Sequence, residues 1–275
     1  MVQKIFLETT KIVGIIVVLM TVVEWLEVKF KERIERFLTK NIKTQIIGAS
    51  LLGVIPGCMD AFLVTSLYSH GLVGFGSLVA VMLSTAGDEA FIMLAIIPKA
   101  ALLIFLMCAI LGIAGGFLAE KITQKIKLKR AKVCPIKIHQ DKYNAGHFFK
   151  EHILAHIFKT HVPRLFLWIF FTLLTIHFLM QRFDLGEILP QNKLLLMLLA
   201  ATIGIIPESG PHLVFLTLYS QGLIPFSVLL VSSLSQDGHG LLPLLSYSIS
   251  DTIKVQIFTT LFSLGVGLIL FLIGV

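Results

Sequence analysis

The sequence predicts an all-α, polytopic membrane protein built from two inverted repeats of about five membrane segments with discontinuous helices. Three observations carry this. First, 56% of the 275 residues are hydrophobic and 14% are charged, where soluble domains carry about 25% charged residues. Second, residues 53–89 and 204–240 repeat one another without a gap at a shift of 151. Third, the two equivalent connectors of the repeats differ in charge, which is the mark of opposite orientation.

The apolar runs reach the length of about 20 residues that an α-helix needs to span a bilayer. Only helices and closed barrels satisfy their backbone there. The runs lack the strict alternation of barrel strands, so helices are expected.

The repeat is dense. Gly53, Ile55 and Pro56 fall on Gly204, Ile206 and Pro207. Leu67, Tyr68 and Ser69 fall on Leu218, Tyr219 and Ser220. Gly71, Leu72, Phe75, Leu78, Leu83, Ser84 and Gly87 also have identical partners. The chain therefore divides into a first membrane repeat (1–118), a basic linker (119–164) and a second membrane repeat (165–275).

In chain order, residues 5–28 form a first span, which is a retained helix and not a signal peptide. Residues 29–43 are a basic connector. Residues 44–70 are apolar but broken at Pro56-Gly57, and residues 72–97 are broken at residues 84–89. Each piece of 44–70 has about 13 residues, or roughly 20 Å of helix, too short to cross ~30 Å of hydrocarbon. Residues 99–118 span without interruption. The second half follows the same plan: a span at 165–180, a connector at 181–193, a segment broken at Pro207, one broken at 236–238, and a last span at 252–275.

The net charge of +7 is unevenly placed: six Lys/Arg lie in 29–43, eleven in 119–164, and six in all the rest. Basic clusters flanking apolar spans mark the cytoplasmic side of a bilayer and not a nucleic-acid surface. The connector 29–43 is about +4 and 181–193 is neutral, so the halves are expected to be inverted, with 29–43 and the linker cytoplasmic. Cys58, Cys108 and Cys134 form no disulfide framework.

The four breaks hold Asp60, Asp88, Glu89, Glu208 and Asp237, with His212, His239, Cys58 and Met59, and no Lys or Arg. Ionisable groups at bilayer depth are costly and point to function. Broken helices near the midplane form substrate sites in secondary transporters. A negative centre in a low dielectric calls for a cation, since its carboxylates would otherwise protonate. Carboxylate plus imidazole suits first-row divalent metals. The first-choice metal ligands are Asp88, Glu89, Glu208, Asp237 and His239, followed by Asp60, Cys58 and His212, with Glu89 or Glu208 as proton carrier. Bland readings compete: Asp60 and Glu208 also fit helix caps, and Met59 and Cys108 fit packing. In the linker, His152 and His156 are four residues apart, a spacing that lets two imidazoles share a metal.

The stretches IPGC (55–58), AFLVTSLYSHGLVGFGSLVA (61–80), GDEAFIMLA (87–95), GIIPESGPHLVF (204–215) and QDGHGLLPLL (236–245) resemble the manganese / heavy-metal exporter family of ten-segment membrane proteins, whose members are sometimes labelled arsenic efflux proteins. The resemblance implies efflux of a divalent metal, manganese or iron, across the inner membrane. Members often have a Cys/His-rich central loop, and this chain keeps Cys134 and five linker histidines.

The expected function is thus proton-coupled, alternating-access export of Mn²⁺ or Fe²⁺, with the metal as cargo, no resident cofactor and no catalytic residue. The expected partners are the metal, protons or another coupling ion, and the lipid bilayer; a homodimer is compatible with the chain and a nucleic acid is not. The alternatives are a membrane-embedded metal-dependent enzyme, which needs an activated water, and a metal-sensing membrane subunit working through its linker.

Overall fold

A computed structural model describes residues 2–38, 40–57, 59–126, 162–182 and 192–274. Cys58, residues 127–161 with Cys134 and the linker histidines, and the connector 183–191 lie outside them. Twelve α-helices are described: α1 (Val2–Leu38), α2 (Ile42–Gly53), α3 (Met59–Ser69), α4 (Phe75–Ser84), α5 (Glu89–Ile96), α6 (Pro98–Ile126), α7 (Val162–Arg182), α8 (Lys193–Ile203), α9 (Leu213–Ser220), α10 (Phe226–Ser235), α11 (Leu241–Tyr247) and α12 (Ile249–Leu272). There is no strand among the described residues.

Two helices run further than the sequence indicated. α1 continues through the basic connector to Leu38, and α6 continues eight residues past 118 to Ile126. Neither extension contains Gly or Pro, so nothing local stops the backbone when the apolar run ends.

The repeat holds at the level of backbone geometry. Moved by 151 residues, α4 lands on α10 end for end. Gly71 and Gly222 have φ of 72° and 73°, and Gly87 and Gly238 have 51° and 53°. Tyr68 meets Phe75 edge-on at 6.4 Å and Tyr219 meets Phe226 at 6.3 Å. Contacts between the halves are paired in the same way: α3 packs on α11 as α9 packs on α5, and α4 packs on α12 as α10 packs on α6. α4 and α10 also pack on each other, so the repeats are intertwined around these two helices.

Every residue of α4 is buried, as is α10 from Ser227 to Ser235. The outer helices carry the lipid-facing surface. Leu102, Leu106 and Ile110 on α6 recur every four residues on one exposed face, as do Ile253, Ile257 and Leu261 on α12. Such stripes of apolar residues are stable facing hydrocarbon and not water. By length and composition, Gln3–Val22, Phe75–Ile96, Pro98–Lys125 and Ile249–Leu272 are each able to cross a membrane. α2, α3, α4 and α5 have 12, 11, 10 and 8 residues. Each is about half the length a full crossing requires.

Close packing at the helix ends needs glycine. A Cβ on Gly204 would stand 2.6 Å from the Ser235 carbonyl oxygen, and one on Gly53 would stand 2.8 Å from the Val81 carbonyl. Gly204→Ala is therefore expected to destabilise the fold by about 1–3 kcal/mol through overpacking. Gly14→Ala, with open space around it, is expected to be neutral or slightly stabilising, because Ala outranks Gly in a helix. Thermal unfolding of the two variants in detergent checks this. Equal midpoints would contradict the packing of α8 on α10.

Candidate metal centre

α4 and α10 both stop in the protein interior. Thr85 leaves the helix at φ −74°, ψ 132° and Gln236 at φ −77°, ψ 112°. The chain then turns through Gly87 and Gly238 in the left-handed region, which favours glycine. It restarts as α5 at Glu89, and as α11 after a 3₁₀ turn at Gly238–Gly240. A helix that ends leaves its last carbonyls without intrahelical partners, and the C-terminal end carries partial negative charge. Two such ends thus face the buried centre.

The breaks are tied to one another. Gly57 N donates to Gly87 O at 3.2 Å, joining the two breaks of the first half. Gln236 Nε2 donates to Ala86 O at 3.1 Å, joining the halves. Thr65 Oγ1 donates to Gly240 O at 3.3 Å, which holds α3 against the 3₁₀ turn of the other half.

One cavity opens between the halves. Asp88 and Glu89 line it from the first repeat, and Glu208, Ser209 and Gly210 line it from the second. Ile92, Leu165, Trp168 and Leu213 complete the wall. Its volume of about 10 Å³ is room for about one water-sized group. Among the described residues, the wall contains no Lys or Arg. The Trp168 indole packs so closely on Gly210 that a Cβ there would overlap the ring.

The sequence-predicted residues therefore fall into groups. Asp88, Glu89 and Glu208 share the cavity. Asp88 occupies the N-cap position of α5 but makes no capping hydrogen bond. Glu89 is fully buried; Gln236 and Cys108 are its polar neighbours, and neither carboxylate oxygen has a well-formed hydrogen bond. Asp237 is outside the cavity wall, 1% exposed, with only a 3.4 Å contact from Thr259 Oγ1 to its Oδ2. His212 is buried, with Nδ1 2.9 Å from Ser232 Oγ and Nε2 without a partner. Asp60 is buried in the first turn of α3. Cys58 lies outside the described residues, as do the side chains of Met59 and His239. Among the described residues, no three of His, Cys, Asp and Glu converge closely enough to hold one ion. The cavity carboxylates thus face each other across the gap without closing on a single point.

Sequence reasoning missed Trp168 and Thr259. Trp168 sits in a plain apolar span, and only its rarity (one of two tryptophans) sets it apart. Thr259 is one hydroxyl in another such span. Asp251, near the start of α12, is buried and bound to Lys254 Nζ at 2.7 Å and to Tyr68 OH at 3.0 Å.

Gly210→Ala is expected to push the Trp168 ring away from the cavity. In a Trp25→Phe background, where Trp168 is the sole tryptophan, its emission should shift measurably. An unchanged spectrum would contradict this wall of the cavity.

Residues 1–171 and 159–274 each match the family described as "Putative, 10TM heavy-metal exporter". Neither a curated protein nor a solved structure matches the chain.

Proposed function

The chain belongs to this family of ten-transmembrane heavy-metal exporters, and from that premise we propose that it exports a divalent first-row metal, Mn²⁺ or Fe²⁺ first, across the inner membrane by alternating access. The observation that carries the proposal is the cavity: three carboxylates drawn from two different repeats, with no cationic side chain among the described residues of the wall. Carboxylates gathered in one largely enclosed cavity favour a cation. Asp88, Glu89 and Glu208 are the proposed ligands, with the Ser209 hydroxyl beside them.

The geometry supports transport over catalysis. Asp88 and Glu89 start α5 of the first repeat, and Glu208 precedes α9 of the second. An ion that draws these ligands together pulls the two repeats toward each other. Its binding energy is then differential between open and closed states, which is what shifts a conformational equilibrium. On this reading the repeats are inverted, 1–118 against 165–275, with 119–164 cytoplasmic, and export is driven by exchange for protons or another ion.

Oxygen ligands alone would also accept Mg²⁺ or Ca²⁺. The softer donors supply the preference for first-row metals. By the repeat register, His239 is equivalent to Asp88 and Cys58 to Ser209. The symmetry-related positions, Cys58 in the first repeat and His239 in the second, thus offer a softer pair, to which Asp60 and His212 add a carboxylate and an imidazole.

The test is metal flux into proteoliposomes of purified protein. Wild type is expected to carry Mn²⁺ and Fe²⁺ in preference to Ca²⁺. Asp88→Asn and Glu208→Gln are each expected to weaken apparent metal affinity by about tenfold, equivalent to about 1.4 kcal/mol. Tight binding with no flux of any metal would reject transport. Unchanged flux in the double variant would reject the cavity as the site.

A further inference from the structure

Asp237 and Gln236 are not part of the cavity wall, and their buried oxygens are unexplained by it. Asp237 is 1% exposed and its Oδ1 has no hydrogen-bond partner. Its Oδ2 has only the long 3.4 Å contact with Thr259 Oγ1. That hydroxyl is also 3.1 Å from Val255 O and 3.2 Å from Gln256 O, so its single proton is shared with two carbonyls. Gln236 Nε2 is committed to Ala86 O, which fixes the amide orientation and leaves Oε1 buried with no donor. Both residues follow directly on the C-terminal end of α10, where helix carbonyls add partial negative charge. Acceptor-only groups left buried in this way are costly. Lys254, on the same helix as Thr259, is already bound to Asp251 at 2.7 Å.

The charge count separates this centre from the cavity. The cavity has three carboxylates and suits a divalent ion. Here one carboxylate is accompanied by an amide oxygen and a hydroxyl, both neutral. All-oxygen ligation is that of a hard cation, and one carboxylate neutralises one positive charge. Broken-helix C-terminal ends coordinate such ions in secondary transporters.

We infer that Asp237, Gln236 and Thr259 form a second cation site, distinct from the metal cavity, which takes Na⁺ as the ion exchanged for metal. The inference rests on the transport reading and adds its coupling ion. Gln236 links the two centres: it bonds Ala86 in the opposite break and adjoins Glu89 of the cavity. Drawing Oε1 toward Na⁺ moves the same amide that rests on the cavity's first-half arm.

Two readouts test it. In proteoliposomes, an imposed Na⁺ gradient is expected to drive uphill Mn²⁺ movement, with choline as the Na⁺-free control. Asp237→Asn and Thr259→Val should lower apparent Na⁺ affinity at least tenfold, with a smaller change in apparent Mn²⁺ affinity. In detergent, Na⁺ alone should raise the unfolding midpoint of wild type, and Asp237→Asn should abolish that shift. The detergent measurement needs no transport, so a protein that carries no metal yet binds Na⁺ through Asp237 rejects the transport reading and keeps the site. Drive by a pH gradient with no effect of Na⁺ overturns the inference. So does an Asp237→Asn variant whose Mn²⁺ affinity falls as far as its Na⁺ affinity, since that places Asp237 with the metal.

Discussion

The constraint on which the structure depends is backbone hydrogen bonding at membrane depth. In hydrocarbon, an unpaired N–H or carbonyl costs several kcal/mol, so broken backbone survives only when buried in protein or lining a cavity. Here α4 and α10 each end inside the protein, and both are enclosed, α4 throughout and α10 from Ser227 onward. Their packing against each other follows from this. So do the contacts that close the breaks: Gly57 N to Gly87 O within the first repeat and Gln236 Nε2 to Ala86 O between repeats. The outer helices α6 and α12 present an apolar face to lipid. The polar chemistry gathers where the helices cannot continue.

The two repeats share a backbone plan but not its polar fastenings. The start of α4 is held by Glu120 Oε2, which accepts from Gly76 N at 2.9 Å, and by Gln45 Oε1, which accepts from Gly74 N at 3.3 Å. The repeat register puts Phe271 and Leu196 at the equivalent places in the second half, and Ser227 in place of Gly76. Ser227 Oγ is buried without a partner. Likewise the buried Tyr68–Asp251–Lys254 group ties α3 to the start of α12, whereas the positions equivalent to Asp251 and Lys254 are Ala100 and Leu103. Duplication fixed the geometry, and later divergence anchored the two broken pairs by different means.

Much of this was legible before the structure. The identities between 53–89 and 204–240 mark the positions that geometry demands: left-handed glycines at 71, 87, 222 and 238, and the close Gly–Ser approaches at 53/84 and 204/235. Fold class and the location of the breaks follow from such local requirements, which sequence displays. The partition of the carboxylates was not legible. Asp88 and Asp237 lie at nearly equivalent points of the two repeats, which made a single shared site the natural expectation. Asp88 faces Glu208 across a cavity, while Asp237 faces Thr259 on α12. That difference arises from how the repeats interlock, a long-range property with no local signature. The apolar walls, Trp168 above all, are silent in sequence for the same reason, because any span supplies large apolar residues.

The partition has an energetic consequence. Charges in the protein interior interact far more strongly than in bulk water, and salt screens buried pairs far less than surface ones. On the proposed reading, carboxylates on either side of Gln236 therefore compete for cations without sharing one. A cation held at Asp237 reduces the negative potential that attracts metal to Glu89, and a metal in the cavity does the same in reverse. Such reciprocity is a requirement of any linkage between two binding equilibria. Mutual weakening is the sign needed for exchange, because a carrier that bound both ions with mutual reinforcement would move them together. The single amide between the two centres, bonded to the backbone of the opposite break, gives this electrostatic competition a mechanical path to the movement of one repeat against the other.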